Sequence, residues 1–250
     1  MSENGVPQQP DAARPYNNLL RMLRGSDYAL IAPSLFSCES RSNDVLYHPG
    51  DNVDVVHFPC GPSMASFLIS ADDGRDVETV LVGREGAVGG IVSLGRLPAY
   101  SRIVVKFGGT FVCLKIGDLE AAKAKSAALR HIFARYADCL LAQIFQTTAC
   151  NAVHAIEQRA AKWIIAATER TGADIVPFTH EELAAMLGTG RSHTTRVLQS
   201  WRARGLIETR RGSLVLRDLA GLKAVACDCN ELVKKHFDEV LRGAYPNGGS

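Results

Sequence analysis

The sequence contains no long hydrophobic run. Among its 250 residues no stretch approaches the roughly 18 consecutive apolar residues that a membrane-spanning helix requires. The segment 1–14 is polar and has no hydrophobic core of a secretory signal. Together the two absences predict a cytoplasmic protein without a membrane partner.

Closely paired cysteines are almost missing too. None of the seven cysteines lies in the C-x-x-C spacing that is typical of zinc and redox sites. The tightest pair, Cys227 and Cys229, falls in a segment predicted to form one amphipathic helix, 218–242. Side chains one residue apart on a helix point to different sides, so the two thiols cannot bind one metal ion unless the helix unwinds. We therefore expect reduced, mostly buried thiols and no metal site, with redox sensing by this pair as the alternative.

The chain also lacks an excess of one charge sign. Its 28 basic and 26 acidic residues leave a net charge of +2, so a nucleic-acid interface has to come from local clustering of charge. With 46 % hydrophobic residues the chain can bury a sizeable core. At the usual ~100 to 200 residues per domain its length admits one large domain or two smaller ones, and we expect two.

Residues 44–116 form short runs rich in Val, Ile, Phe and Leu, which glycine and proline turn signals separate. No helical pattern lies between the runs, which favours a β-sandwich or a rolled barrel over a parallel sheet. A short amphipathic helix is predicted before this region, over 16–24. The predicted strands are 53–58, 64–70, 78–82, 102–106 and 110–116.

The segment 117–170 has no proline and only one glycine, at its first position, which predicts helix. Apolar residues between 129 and 145 cover too wide an arc for one small domain to bury, so we expect the same helix of a second copy to pack there. The alternative is an ordinary buried helix within one monomer. A break near Asn151 should precede a further helix over 153–170. The residues predicted for the dimer seam are Ile132, Phe133, Tyr136, Leu140, Gln143 and Ile144.

Two short helices joined by a tight turn are predicted over 179–204. Thr179 and Glu182 have the spacing of a capping box, in which each side chain satisfies a free backbone amide at the helix start. Gly188 supplies the turn, and a second helix follows over 191–204 with Val197, Leu198 and Trp201 on its inner side. This order is that of a helix-turn-helix unit.

A two-stranded hairpin with a basic tip at Arg210 and Arg211 is predicted directly after the second helix. The segment 188–217 holds seven arginines and one acid, Glu208, a local charge of +6 on a chain of +2. Positive charge is thus concentrated where a winged helix-turn-helix meets DNA. The pattern predicts double-stranded DNA as a partner.

Side-chain chemistry assigns roles around the second helix. The guanidinium fork of arginine matches guanine O6 and N7, and short hydroxyl side chains can bond to donors or acceptors on a base edge. Phosphate contacts fix the register of the protein on DNA without reading sequence. The predicted base contacts are Arg191, Ser192, His193, Thr195 and Arg196. The predicted phosphate contacts are Thr179, His180, Thr189, Gln199, Arg210 and Arg211. The alternative for His180 and His193 is that they are ordinary surface side chains that contact only water.

These residues resemble the Crp/Fnr family of bacterial transcription regulators. The likeness is strongest over 178–216, where Glu182-Leu183-Ala184, Leu187-Gly188, Arg196-Val197-Leu198, Gly205-Leu206-Ile207 and Arg211-Gly212 follow the family's DNA-binding pattern. The segments 46–51, 73–78 and 82–89 more weakly resemble the β-roll sensor of the family. The resemblance implies a cyclic-nucleotide-binding-like β-roll, a long dimerisation helix, a winged helix and contact with RNA polymerase at promoters.

The expected fold is therefore α+β: an antiparallel, jelly-roll-like β-roll, a long helix and a C-terminal winged helix-turn-helix. We expect a tail over 1–15, the β-roll domain over 16–118, the dimerisation helix over 119–150 and the DNA-binding domain over 151–245. The implied protein is a homodimer on a palindromic site and not an enzyme.

The sensor differs from two branches of the family. Members that bind cyclic AMP use a Gly-Glu pair and an Arg-Ser or Arg-Thr pair in the loop that matches 86–102, where this chain has Val88-Gly89-Gly90 and Pro98-Ala99-Tyr100-Ser101. A buried phosphate without its partners is costly, so cyclic AMP is disfavoured. The iron-sulfur branch needs an N-terminal cysteine cluster, and 1–37 hold no cysteine. We place a pocket for an unidentified effector at Gly86, Val88, Gly89, Gly90, Arg96, Tyr100 and Ser101.

The recognition helix departs from the family as well. Gly190 stands where the family has a serine at the helix start, and Ser192 replaces its usual glutamate. The lost carboxylate would have accepted a hydrogen bond from cytosine N4, so the operator should differ from the family's best-known one.

Two alternative functions stay open on the sequence. One is a regulator that needs no effector or answers to a protein partner. The other, more remote, is a cupin-like metalloenzyme, because His48 and His57 lie on neighbouring predicted strands. Cupin chemistry commonly uses a His-x-His pair with a glutamate and a further histidine, and the sequence has no such group.

Overall fold

The computed structural model describes residues 14–70, 72, 76–91 and 97–242. The expected tail, 1–15, lies outside these residues except for Arg14 and Pro15. An antiparallel β-rich region, a long helix and a C-terminal helix-turn-helix follow one another, which confirms the predicted α+β fold. Within the described ranges no helix has both the length and the apolar character to cross a bilayer.

The chain begins with helix α1 (Asn18–Arg21), which is shorter than the helix predicted over 16–24. Asn17 caps it: the side-chain oxygen accepts the Leu20 N–H at 3.0 Å, and the amide nitrogen donates to the carbonyls of Pro59 and Gly86 at 2.9 and 2.8 Å. This buried side chain thereby ties the helix start to the β-rich region. Helix α2 (Gly25–Ile31) and a 3-10 turn (Ala32–Ser34), which the sequence analysis did not predict, come next.

A β-roll of two antiparallel sheets follows. One sheet has the order β1-β7-β3 and the other β2-β6-β4-β5. All five predicted strands are present, with ends shifted by at most two residues, and β1 and β2 are additional. The strands are β1 (Phe36–Ser40), β2 (Val45–Tyr47), β3 (Val55–Pro59), β4 (Met64–Ser70), β5 (Asp76–Val82), β6 (Arg102–Phe107) and β7 (Gly109–Lys115).

Three helices succeed the roll: α3 (Ile116–Lys125), α4 (Ala127–Val153) and α5 (Ile156–Thr171). The single helix expected over 119–150 is thus divided at Ser126, whose hydroxyl caps α4 by accepting the Leu129 N–H at 3.0 Å. The break predicted near Asn151 is present at His154 and Ala155, because α4 continues to Val153 before α5 begins.

The prediction that the apolar arc of α4 needs a second chain requires correction. Ile132, Phe133 and Tyr136 are fully buried in this chain's own core and Gln143 is nearly so. Leu140 packs partly against the same core and against the interior of the β-roll. The β-roll and the C-terminal helix cover the two sides of this arc. Of the residues predicted for the seam, only Ile144 is exposed.

The C-terminal part contains the helix-turn-helix and a small sheet. Its elements are β8 (Ile175–Val176), α6 (His180–Leu187), α7 (Arg191–Ala203), β9 (Ile207–Arg210), β10 (Ser213–Leu216), α8 (Leu219–Val225) and α9 (Cys229–Arg242). The sheet order is β8-β10-β9, so the predicted two-stranded hairpin gains a third strand. The single closing helix predicted over 218–242 was wrong, since the chain leaves helical geometry between Val225 and Cys229.

Tyr136 of α4 joins the β-roll to the helices. Its hydroxyl donates to the Ala87 carbonyl at 3.0 Å and accepts the Ala87 N–H at 2.9 Å. Its ring meets Phe237 of α9 edge to face at 6.2 Å. A Cβ added at Gly86 would lie 2.0 Å from the hydroxyl, so this position has to be glycine for the tyrosine to reach the backbone.

We expect Tyr136→Phe to lower the free energy of unfolding by about 1–3 kcal/mol, because both polar groups of Ala87 would remain buried without a partner. Urea denaturation measures the loss. Tyr100→Phe is the matched control, since the Tyr100 side chain is 87 % exposed and should tolerate the change. Equal stability of the two variants would show that the hydroxyl does not hold the loop.

Candidate nucleic-acid interface

The first helix of the helix-turn-helix starts and ends as predicted. The Thr179 hydroxyl accepts the Glu182 N–H at 3.1 Å, and the Glu182 carboxylate accepts the Thr179 N–H at 2.8 Å. At the other end Gly188 adopts φ +63°. The N–H groups of Gly188 and Thr189 donate to Ala185 and Ala184 at 3.1 and 3.0 Å, which is a Schellman C-cap.

Arg159 of α5 reinforces this helix end, a role that sequence reasoning missed. The buried guanidinium donates to the Leu187 carbonyl at 3.0 Å. A cation at the negative end of a helix dipole is a favourable placement. The contact fixes the turn against α5 and so sets where the next helix begins. Because the two residues are 28 positions apart, local sequence patterns gave no sign of it.

Helix α7 turns one face inward through Thr194, Leu198 and Trp201, all fully buried. Val197, which the sequence pattern predicts on this face, is only partly buried, and Thr194 takes its place. The Trp201 indole donates to the Glu157 carboxylate at 2.8 Å, which locks the helix onto α5. Gly190 forms the N-cap without a side-chain bond, as its lack of a side chain dictates.

The structure brings the predicted base-contacting residues together at the start of α7. Arg191, Ser192, His193 and Arg196 are all exposed there. Thr195 is partly buried, and its hydroxyl is 3.1 Å from Nδ1 of His180. The residues that can meet base edges therefore form one exposed surface over the first two turns of the helix, which is where a recognition helix reads a major groove.

His180 is a link between the two helices as well as a predicted phosphate contact. Burial lowers the pKa of its imidazole below the ordinary value of 6.5, and the neighbouring Arg191 guanidinium lowers this pKa further. The contact that the structure shows for this side chain is the one with the Thr195 hydroxyl, at 3.1 Å. Its contact with a phosphate stays a prediction.

The hairpin formed by β9 and β10 carries the predicted basic tip. Gly212 adopts φ +74° in the turn, and Arg210 and Arg211 are both exposed there. The third strand, β8, pairs with β10 through Leu214 and Val176. It holds the base of the hairpin against α5, so the position of the hairpin tip relative to α5 is defined.

Glu208 neutralises part of this basic surface. Its carboxylate pairs with Arg210 at 3.1 Å on one side and with Arg217 on the other. The two guanidiniums, Arg217 first, hold the pKa of this carboxyl below its usual range. The predicted phosphate contact Arg210 is therefore occupied within the chain itself. Within the described ranges no ion pair engages Arg191, Arg196 or Arg211.

The remaining predicted phosphate contacts surround the recognition helix. Thr179 and Gln199 are exposed and Thr189 is partly buried. The exposed arginines of this region form what we call the arginine surface. It consists of Arg191, Arg196, Arg202, Arg204, Arg210, Arg211 and Arg217.

The predicted effector pocket is only partly assembled. Gly86 faces Tyr136, and Val88 is fully buried with backbone bonds to His57. By contrast Gly89, Gly90, Tyr100 and Ser101 line a groove of about 260 Å³ together with apolar side chains such as Phe67 and Ile103. Arg96 lies outside the described residues.

The histidines of the cupin alternative do not form a metal site in the described part of the chain. His48 is exposed, and His57 lies beside the Cys113 thiol at 3.3 Å. Burial lowers the pKa of His57 to about 4. Neither histidine belongs to a group of metal-ligating side chains among the residues described.

An antiparallel β-roll joined by a long helix to a winged helix-turn-helix defines a class of DNA-binding regulators. Residues 158–225 match the family model of the Crp-like helix-turn-helix domain. The chain thus contains a Crp-like DNA-binding domain, and its overall fold is that of Crp/Fnr regulators, which confirms the resemblance seen in the sequence.

Several solved structures share this fold. FixK2 from Bradyrhizobium japonicum is 14 % identical with a TM-score of 0.66, and the match covers 77 % of this chain and 98 % of FixK2. A CRP-family transcriptional regulator from Thermus thermophilus is 19 % identical with a TM-score of 0.64, over 76 % of this chain and 96 % of the other. The c-di-GMP responsive global regulator CLP from Xanthomonas campestris is 15 % identical with a TM-score of 0.60, over 78 % of this chain and 100 % of CLP. No curated protein matches the sequence.

Replacing Glu208 by Gln should strengthen binding to random-sequence DNA, because Arg210 and Arg217 would become available to phosphates. The slope of log K against log salt concentration should steepen by up to about 0.9 for each arginine released. Fluorescence anisotropy over a salt series measures both quantities.

Glu231→Gln is the matched control, since it removes an exposed acid outside the arginine surface. An unchanged salt slope in Glu208→Gln would show that neither arginine reaches DNA.

Proposed function

We propose that the chain is a sequence-specific transcription regulator that binds a palindromic DNA site as a homodimer. The observation that carries this proposal is the exposed group Arg191, Ser192 and Arg196 at the start of α7, beside a basic hairpin in a Crp-like helix-turn-helix domain. Its site of action is the cytoplasm, where DNA is available, and contact with RNA polymerase follows from the family resemblance.

Base reading falls to the exposed residues of the first two turns. Arg191 and Arg196 present guanidinium forks that fit guanine O6 and N7. The short Ser192 hydroxyl can donate or accept a hydrogen bond at a base edge. Thr195 bonds to His180 in the free protein, so its reading of a base requires that this bond be exchanged. Arg211 is the hairpin cation that is free of an ion pair within the described ranges, and it is assigned to phosphate.

We expect Arg196→Ala to weaken binding to the specific site by about 1–3 kcal/mol, the usual worth of a bidentate base contact, and to leave random DNA nearly unaffected. The site is first obtained by selecting fragments from a random library with the purified protein. Anisotropy titrations then compare specific and random DNA.

Arg202→Ala is the control for charge, because Arg202 is exposed later on the same helix. It should weaken binding to both DNAs alike. If Arg196→Ala lowers affinity equally on both DNAs, Arg196 contacts phosphate and does not read a base. A selection that returns no shared motif contradicts sequence-specific binding by the protein as purified.

The proposed dimer seam is the exposed apolar stripe on the second half of α4. Leu141, Ile144 and Phe145 lie on it, and Thr148 and Ala152 are exposed on the same face. Their spacing of i, i+3, i+4, i+7 and i+11 follows the 3.5-residue period of paired helices. Among these positions only Ile144 belonged to the seam predicted from the sequence.

A two-fold axis along this seam would give the pair of recognition helices that a palindrome needs. Each half-site must lie about 34 Å from the other, one turn of DNA, so the long helix has to hold two DNA-binding domains at a fixed separation. The stripe lies close to the end of α4 that leads into α5, which places the pairing next to those domains.

We expect Phe145→Glu to convert the protein to a monomer, because the seam would bury two charges without partners. The affinity for the specific site should fall as well, since each monomer would then bind a single half-site by itself. Sedimentation equilibrium gives the mass. Leu232→Glu, which changes another exposed apolar residue on a helix, should leave the mass unchanged. A dimeric Phe145→Glu would place the seam elsewhere.

We further propose that the β-roll does not take cyclic AMP. The described residues that line its groove include no charged side chain, whereas a buried phosphate needs cationic partners. The described part of the groove offers an effector apolar side chains such as Phe67 and Ile103 and the hydroxyl groups of Tyr100 and Ser101. Control by a protein partner, or activity without an effector, stays the alternative.

A further inference from the structure

Four metal-ligating side chains meet where the end of α4 approaches the start of α9, and none of them belongs to the arginine surface. Cys150, His154, Cys227 and Cys229 each direct one ligand atom to the same place, and these atoms all lie within 4.8 Å of one another. Three of the four residues are cysteines with almost no exposed surface, and the histidine is partly buried. Neither the proposed DNA contacts nor the proposed dimer seam uses any of them.

Two helix ends build this group. Cys150 lies in the last turn of α4, and His154 is the residue that ends the helix, with its N–H donating to the Cys150 carbonyl at 3.1 Å. Cys229 is the first residue of α9, and Cys227 lies in the connection before it. The break between α8 and α9 is therefore what allows two thiols one residue apart to converge, which a continuous helix would forbid.

The distances fit tetrahedral coordination. The sulfurs of Cys150 and Cys227 are 3.6 Å apart, and the Cys229 sulfur is 3.5 Å from Nδ1 of His154. Zinc–sulfur bonds of about 2.3 Å at tetrahedral angles put two sulfurs about 3.8 Å apart. We propose that these four side chains bind one zinc ion in a Cys3His site.

The charge around the group supports this assignment. A divalent ion with three thiolates and a neutral imidazole carries one net negative charge. Lys162 of α5 is buried and lines the same small cavity as Cys229, so an ammonium there would offset that charge. The Gln146 amide donates to the Cys229 sulfur at 3.2 Å. Such outer contacts orient metal ligands.

The donor set also selects the metal and its role. Thiolate and imidazole ligands in tetrahedral array suit zinc and exclude magnesium and calcium, which require oxygen. Four protein ligands leave no open position for a substrate, so the ion is structural. It joins the end of α4 to the start of α9 and thus fixes the helix that leads into the DNA-binding domain.

The test is the metal content of the full-length protein, purified under reducing conditions from cells supplied with zinc. We expect about one zinc per chain by mass spectrometry. The variant Cys227→Ser/Cys229→Ser should lose it. Cys60→Ser is the control, because Cys60 is also buried but lies outside the group.

Two further measurements keep the proposal testable if the double variant fails to fold. Chelator should lower the melting temperature of the wild-type protein, and zinc but not magnesium should restore it. Replacement by Co²⁺ should give the intense visible absorption of tetrahedral cobalt–thiolate coordination. A wild-type protein that contains no zinc and yields no cobalt spectrum would overturn the proposal. Stoichiometric iron, or a Cys150–Cys227 disulfide in the reduced preparation, would overturn it as well.

Discussion

The double hydrogen bond between the Tyr136 hydroxyl and the backbone of Ala87 is the constraint on which the arrangement of the domains depends. One polar atom in an apolar core satisfies both groups of a β-roll residue, and the ring that carries it packs on Phe237. The segment around Ala87 between β5 and β6, the long helix and the C-terminal helix are therefore joined by one side chain. Because unpaired polar groups are costly in such a core, the three cannot separate independently.

The DNA-binding domain is packed against the β-roll as well as attached to the long helix. Phe107 of β6 meets Phe178 at 5.3 Å between ring centres, and Met64 and Leu81 belong to the same core as the helix-turn-helix. Within the β-roll a buried ion pair joins Lys106 of β6 to Glu78 of β5, and both residues line a cleft together with Glu182 and Met186 of α6. Under the proposed function, an effector in the β-roll would act on the recognition helix through this shared core, since closely packed interiors switch between discrete arrangements.

The sequence predicted what depends on local chemistry. The cap at Thr179, the turn at Gly188 and the basic hairpin follow from residues a few positions apart, and the structure has all three. The contacts it missed join distant residues: Arg159 with Leu187, Trp201 with Glu157, and Cys150 with Cys227. The burial of Phe133 and Tyr136 was also missed, because periodicity shows that a helix face is apolar but not which element covers it.

The carboxylate of Glu208 also bears on how a regulator searches a genome. Phosphate contacts hold a protein equally to every stretch of DNA, and a chromosome offers millions of wrong stretches for each right one. If the chain acts as proposed, the two guanidiniums that Glu208 occupies would add little to this non-specific affinity, and the time spent on each wrong stretch would be shorter. Movement between sites would then be faster, and discrimination would depend on the few side chains proposed to read bases.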